Sequence, residues 1–163
     1  MMKKNHRRIL FALILLLMMS VAVRTGGFNL KATPLSREFG ITQENYVTLH
    51  EQDSHGGFHG DGLYFVVIDC ANNPGEIQTL TADWLPMPMP ESLLHAFGSY
   101  AGLNAVENGL FELNENCRYY FHNRHSEAAH SGDTDIFKPH SVNFSLAIFN
   151  PGNNTFCLMC YDS

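Results

Sequence analysis

Basic residues are scarce over most of this sequence. Beyond residue 24 there are five, Lys31, Arg37, Arg118, Arg124 and Lys138, against all sixteen Asp and Glu residues of the chain. With histidine neutral, this part therefore has a net charge of −11. Such a surface repels phosphate backbones, so we expect no nucleic-acid partner. It attracts cations or a basic partner, or it serves only as a solvated surface.

Long apolar runs are also missing after residue 23, and no internal repeat occurs. These absences exclude a protein with several membrane spans and a repeat architecture. About 120 residues suffice for one domain with a core of ordinary size. The polar stretch 25–44 contains Pro34 and lacks a clear apolar period, so the sequence predicts a tether there and a folded domain over 45–163.

The one long apolar run lies at residues 9–23, directly after Lys3, Lys4, Arg7 and Arg8. A positive stretch followed by such a run predicts either an uncleaved signal anchor or a signal peptide that is cut after Ala22. Both alternatives assign residues 1–24 to targeting and place the following domain outside the cytoplasm. We favour the anchor, which predicts a single-pass membrane protein; the alternative is secretion. No cysteine follows the run closely, so a lipid-modified N-terminus has no acceptor.

Four cysteines, an even number, occur in this exported part: Cys70, Cys117, Cys157 and Cys160. Outside the cytoplasm they permit two disulfides with three connectivities. Cys157 and Cys160 form a C-x-x-C, but they lie in a predicted strand. Positions i and i+3 of a strand point to opposite faces, so we expect these two neither to pair nor to share a metal.

The apolar patterns predict an α+β fold. Strands are expected at 46–51, 63–69, 110–113, 117–122, 141–149 and 155–161, and short helices after Asn73 and from Glu91. In the strand 141–149, Val142, Phe144, Leu146 and Ile148 are expected to point inward. We therefore predict an antiparallel sheet of about five strands with two short helices on one face, preceded by the N-terminal membrane helix or signal.

The segment 53–62 (DSHGGFHGDG) combines four glycines with His55, His59 and Asp61. It matches neither a Rossmann fingerprint, a P-loop nor an EF-hand loop. A second polar segment, 122–127, contains His125 and Glu127. If both segments meet at one end of the sheet, the five residues His55, His59, Asp61, His125 and Glu127 form a candidate site for a ligand or a divalent metal such as zinc. Otherwise the side chains satisfy their own loops.

Three motifs carry a resemblance to a known family: SHGGFHGDG at 54–62, YYFHNRHSE at 119–127 and NFSLAIFN at 143–150. With the N-terminal segment, they make the chain similar to a family of small membrane-anchored proteins from Gram-positive, Clostridia-like bacteria. That family has no assigned activity, so the resemblance implies an N-terminal helix and an external α+β domain but no catalytic residues. The resemblance leads us to expect an aspartate where this chain has Asn123.

No complete catalytic constellation is present; Ser126, for example, lacks the glycines of a nucleophile elbow. The leading hypothesis is therefore a non-enzymatic, membrane-tethered extracytoplasmic domain that binds a protein or small ligand, or has another envelope-associated role. The alternative is a small metal-binding protein or metal-dependent hydrolase that uses the His/Asp loop. We predict no resident cofactor under the first hypothesis and a divalent metal under the second.

Overall fold

The structure, a computed structural model, describes residues 32–56, 60–125, 128, 130–137 and 141–163. The predicted targeting segment 1–24, His59 and Glu127 therefore lie outside the described residues. Within the described residues, no helix is long and apolar enough to cross a membrane.

A six-stranded antiparallel sheet forms the centre of the domain. The strands are β1 (Val47–Asp53), β2 (Gly62–Asp69), β3 (Leu85–Pro86), β4 (Arg118–Asn123), β5 (Phe144–Asn150) and β6 (Thr155–Asp162). Their order across the sheet is β1-β2-β6-β5-β4-β3. The α+β prediction is therefore confirmed, with the short β3 as a sixth strand that the sequence did not reveal.

Four α-helices occur among the described residues: α1 (Pro34–Phe39), α2 (Pro74–Leu80), α3 (Glu91–Tyr100) and α4 (Gly102–Glu107). One core packs α3 and α4, through Leu93, Phe97 and Ala105, against one set of strand side chains. A second core packs Leu35 of α1 and Ile77 of α2 against the alternate set. The prediction of helices on one face is wrong, because β2, β5 and β6 are apolar at successive positions and bury both faces.

The N-terminal boundary of the folded domain also differs from the prediction. Leu35 and Ile41 are completely or almost completely buried in the second core. The folded unit therefore includes the chain from Pro34 on, rather than starting near residue 45. The sequence signal for α1 is weak, because the helix has only six residues and contributes one fully buried side chain.

The segment 110–113 is not a strand. The N–H groups of Leu110 and Phe111 both donate to the carbonyl of Ala105 and so close the end of α4. The backbone is thereby used in a helix terminus, while the Phe111 side chain enters the first core. In β5, by contrast, Phe144, Leu146 and Ile148 belong to the first core as predicted, and the partly buried Val142 packs against them.

The two edges of the sheet are different. The edge strand β1 is exposed at most positions, and its pairing with β2 shifts register between Thr48 and His50, which is a β-bulge. At the other edge, β3 has only two residues, Leu85 and Pro86, which pair with β4.

Candidate functional site

Several charged and polar side chains meet at one end of the sheet, where β1, β4 and β6 end and β2 and β5 begin. We call this group the acid–base cluster. Its members are Glu38, Asp53, His55, Arg124, Ser145 and Asp162. The strands β2 and β4 are not neighbours, since β6 and β5 lie between them. The loops that follow β1 and β4 nevertheless reach the same place, because both contact Asp162 at the end of β6.

The imidazole of His55 lies between two carboxylates. Its Nδ1 is 2.8 Å from Oδ1 of Asp53, which also accepts the backbone N–H of His55 at 2.9 Å. Its Nε2 faces Oδ2 of Asp162 at 3.4 Å, within ion-pair distance but without hydrogen-bond geometry. Gly62 permits this packing, because a Cβ there would lie 2.7 Å from the backbone nitrogen of His55.

Arg124 connects the strand ends around it. Its Nη1 lies 2.9 Å from Oδ1 of Asp162, and its Nη2 donates to the carbonyls of Phe144 and Tyr161 at 2.9 and 3.3 Å. Its Nε is 3.9 Å from Oε1 of Glu38 and makes no hydrogen bond. One guanidinium therefore joins the start of β5, the end of β6 and helix α1.

The inner part of the acid–base cluster contains a buried hydroxyl and a buried thiol. Ser145 donates its hydroxyl to Oε1 of Glu38 at 2.5 Å, and Sγ of Cys160 lies 3.5 Å from Oγ of Ser145. Burial raises the pKa of the Cys160 thiol to about 12, although the hydrogen bond with Ser145 opposes this shift. At neutral pH the group is therefore a thiol rather than a nucleophilic thiolate.

The structure brings only part of the predicted site together. His55 lies in the acid–base cluster. Asp61 is exposed and makes no hydrogen bond or ion pair with the cluster residues in the described part of the chain. His125 places its Nε2 2.9 Å from Oγ of Ser141, a different partner. His59 and Glu127 lie outside the described residues, so a site that includes them stays a prediction.

The described residues contain no group of three His, Cys, Asp or Glu side chains that could hold a metal ion. Both ring nitrogens of His55 face carboxylates, so neither is directed at an open position where a substrate or metal would bind. The charged side chains of the cluster therefore form ion pairs with one another that join the strand ends. These contacts can stabilise this end of the sheet.

Asn123, where the resemblance led us to expect an aspartate, has a role that needs an amide. Its Nδ2 donates to the carbonyl of Asp133 at 2.8 Å, and its Oδ1 accepts the N–H of His125 at 3.0 Å. The side chain is buried. A carboxylate could accept the second bond but could not donate the first.

Five of the six cluster residues were not among the predicted site residues, although Asp53 and Arg124 lie in the two polar segments that the sequence indicated. Glu38 lies in the stretch assigned to a tether, Asp162 follows the last strand, and Ser145 occupies a position in a strand of otherwise apolar side chains. A polar residue such as Ser145 inside an apolar strand is a signal for a buried hydrogen bond. The other two carry no comparable local signal, because their partner Arg124 is distant in the sequence.

All four cysteines are buried free thiols, so neither of the two disulfides that the sequence permits is formed. Cys117 and Cys157 belong to the first core, and Cys70 and Cys160 to the second. The prediction that Cys157 and Cys160 point to opposite faces of β6 is confirmed. Their separation by the sheet explains why the C-x-x-C cannot close.

The buried thiols predict a loss of stability at alkaline pH. Burial raises the pKa of Cys70 and Cys160 to about 12, from an ordinary value near 9, and raises the pKa of Cys157 further. Buried Tyr46 and Tyr64 shift in the same direction. Groups with raised pKa values stabilise the fold fully below their unfolded pKa and lose this contribution as pH rises toward the folded pKa. We therefore expect the urea midpoint to fall steadily from about pH 9 upward.

Trp84 fluorescence measures this midpoint, since the indole packs among Phe39, Tyr120 and Phe156. The Cys157→Ala variant is a matched control, because it lacks one of the titrating thiols and should show a shallower fall. A midpoint that stays constant between pH 8 and about pH 11 would contradict the expectation.

An open groove lies apart from the acid–base cluster. We call it the methionine groove; it has a volume of about 400 Å³, and its lining residues are Met87, Pro88, Met89, Leu94, Leu113, Asn114 and Glu115. Leu94 of α3 is 47% exposed, although it is a large apolar side chain. Glu115 is the charged residue of the lining, and Glu112 lies nearby, where it accepts a hydrogen bond from Asn114.

Comparisons of the chain with protein-family models, with curated proteins and with solved structures find no match. The resemblance to the membrane-anchored family therefore stays a prediction.

Proposed function

We propose that this protein is a membrane-tethered, extracytoplasmic domain that binds an apolar, positively charged segment of a partner protein in the methionine groove. The observation that carries the proposal is the groove itself, an open apolar concavity beside carboxylates. The acid–base cluster supports a binding role over catalysis, because its charged groups contact one another. The charged and apolar N-terminal segment supports a location at the outer side of a membrane.

The lining of the methionine groove suits a peptide side chain. Methionine is flexible and polarisable, so Met87 and Met89 can adapt to apolar groups of different shape. The exposed Leu94 adds apolar area that a partner would remove from water. A concave apolar surface with a few polar groups at its rim is typical of binding sites.

Charge complementarity selects the partner. Glu115 places negative charge in the lining of the groove, Glu112 adds a carboxylate beside Asn114, and the chain beyond residue 24 has a net charge of −11. An acidic segment would be repelled at long range, whereas Lys or Arg would accelerate encounter and favour binding. We therefore infer a partner segment with leucine-like and basic side chains.

The proposal predicts that a fluorescent peptide of leucine and lysine binds the full chain and that Leu94→Ser weakens its binding about tenfold. The control is Leu103→Ser, which removes another leucine that is 53% exposed but does not line the groove. Fluorescence anisotropy with the chain in nanodiscs of zwitterionic lipid, corrected for empty nanodiscs, gives the Kd.

A second peptide, with glutamate in place of lysine, tests the charge argument. It should bind more weakly than the lysine peptide, and Glu115→Gln should reduce the difference. Equal effects of Leu94→Ser and Leu103→Ser would reject the groove as the binding site. Equal binding of the two peptides would reject the basic partner.

A further inference from the structure

Three sulfur-containing side chains lie on the same side of the sheet at the methionine groove. Met87 and Met89 line the groove. The N–H of Met87 donates to the carbonyl of Cys117 at 3.3 Å, which continues the antiparallel register that pairs Leu85 with Tyr119. Residues directly opposite each other in such a ladder have Cβ atoms about 5 Å apart on one side. Met89 and Cys117 accordingly belong to the first core, and Met87 packs against it.

The thiol of Cys117 lies behind the wall of the groove. Cys117 is 1% exposed, and its Sγ accepts the backbone N–H of Asn114 at 3.4 Å. Asn114 is itself a lining residue of the groove. The other contacts of this sulfur, to the carbonyl of Glu112 at 3.5 Å and to Oδ1 of Asn114 at 3.7 Å, are long, as for a weak S–H donor. The thiol is therefore one residue away from the open groove.

Prolines hold the methionine segment in place. Pro86, Pro88 and Pro90 alternate with the two methionines. Each proline fixes its own φ near about −65° and restricts the residue before it, so this backbone loses little freedom when a ligand binds. The side chains of Met87 and Met89 keep three rotatable bonds each, so their sulfur atoms can turn toward a common ion. The segment thus combines a fixed backbone with adaptable ligand atoms.

Sulfur ligands of this kind select a soft metal ion. Thioether and thiolate groups favour Cu(I), whereas carboxylate, carbonyl and water favour Mg²⁺, Ca²⁺ and Mn²⁺. The part of the chain that the structure describes has no group of three His, Cys, Asp or Glu side chains suited to a metal, so the sulfur set is of a different type. The carboxylate of Glu115 in the lining attracts a cation to the groove.

The charge of the ligand set favours a monovalent ion. Burial raises the pKa of the Cys117 thiol, although the hydrogen bond from the backbone of Asn114 opposes this shift. The group is therefore a thiol at neutral pH, and a metal ion must displace its proton to bind the thiolate. One thiolate, two neutral thioethers and one Cu(I) ion give a complex without net charge, and no electron is transferred. Such a complex fits an apolar core, in which a net charge would be costly.

We propose that Met87, Met89 and Cys117 bind one Cu(I) ion at the base of the methionine groove. This site goes beyond the proposed function and does not depend on it. The ion is held by the sulfur atoms, whereas a partner segment would contact the apolar surface of the groove.

The test is a competition for Cu(I) between the chelator bicinchoninate and the full chain in nanodiscs, in anaerobic buffer with ascorbate. Met87→Leu/Met89→Leu should weaken Cu(I) binding about hundredfold, since leucine keeps the apolar volume but has no ligand atom. The control is Met159→Leu, which changes a fully buried methionine of β6 outside the groove and should leave the Kd unchanged. Urea unfolding followed by Trp84 fluorescence shows that each variant is folded.

The displaced proton gives a second readout, which tests the thiol. Protons compete with Cu(I) for the thiolate, so the affinity of the unchanged chain should rise about tenfold per pH unit between about pH 6 and pH 8. Cys117→Ser should weaken binding about tenfold at neutral pH and remove this dependence, because a hydroxyl does not ionise in this range. The same titration at three pH values, corrected for the chelator, measures both effects.

The outcomes separate this inference from the proposed function. Equal Cu(I) affinity of the unchanged chain and Met87→Leu/Met89→Leu would overturn the site, as would a pH dependence that persists in Cys117→Ser. The methionine variant should still bind the leucine–lysine peptide, and Leu94→Ser should still bind Cu(I). Peptide binding without Cu(I) binding in the unchanged chain would reject the metal site alone, whereas Cu(I) binding without peptide binding would reject the proposed function alone.

Discussion

Gly102→Ala is expected to destabilise the domain by about 3 kcal/mol, because an added methyl group has no space. A Cβ at this position, the first residue of α4, would overlap the ring of Phe97. That ring is 1% exposed and packs in the first core, where its centroid lies 6.5 Å from that of Phe111. It cannot turn away without disturbing its neighbours. Urea unfolding followed by Trp84 fluorescence measures the change in the free energy of unfolding.

Gly75→Ala is the matched control for this prediction. Gly75 lies in α2, and a Cβ there would meet no atom within 4 Å. Alanine should therefore stabilise the domain by about 0.5 kcal/mol, since it restricts the unfolded chain and favours helix. The double variant Gly102→Ala/Phe97→Leu should recover part of the lost stability. A loss at Gly102 below about 1 kcal/mol would show that the two helices do not pack this closely.

Arg124→Met is expected to destabilise the domain by about 2–3 kcal/mol. Methionine keeps much of the side-chain volume but leaves Asp162 and Glu38 without their cation and removes the donors to the carbonyls of Phe144 and Tyr161. The side chains of Arg124 and Asp162 are 24% and 32% exposed, so water offsets part of the cost of a fully buried broken pair. The free energy of unfolding in urea measures this effect.

Arg37→Met provides the control, since Arg37 is an exposed arginine on α1 and its replacement should change stability by less than about 0.5 kcal/mol. A double-mutant cycle of Arg124→Met with Asp162→Asn isolates the direct pair. Additive effects of the two substitutions would mean that Arg124 acts through its carbonyl contacts and not through Asp162. A loss no larger than that of Arg37→Met would contradict the structural role of the acid–base cluster.

Local patterns in the sequence predict the strands that are apolar or alternating. Strands β2, β4, β5 and β6 were predicted close to their observed bounds, because side-chain periodicity and turn residues act within a few neighbouring positions. The continuously apolar β2 and β6 indicate that both faces of the sheet are covered, but not which elements cover them. One face is covered by α1 and α2. These helices have six and seven residues, which is too short for a clear helical period of apolar residues to show where they pack.

Of the predicted site residues within the described part of the chain, only His55 lies in the acid–base cluster. The sequence left open whether the polar segments 53–62 and 122–127 meet; in the structure, His55 and Arg124 contact one residue, Asp162. The pairing depends on strands β5 and β6 being inserted between β2 and β4, a long-range arrangement that no local motif specifies. The methionine groove was not predicted, because its lining residues come from three separated parts of the chain, 87–89, 94 and 113–115.

The edges of the sheet limit its growth. A regular edge strand offers a row of backbone donors and acceptors to any other extended chain, and this is a common route to aggregation. Here the bulge between Thr48 and His50 breaks that row in β1, and Pro86 supplies no N–H to the two-residue strand β3. Neither edge of the sheet therefore offers a regular row of backbone groups to which a further strand could pair. For domains tethered to one membrane surface, as we propose, this property would keep neighbouring copies separate and leave their grooves open to a partner.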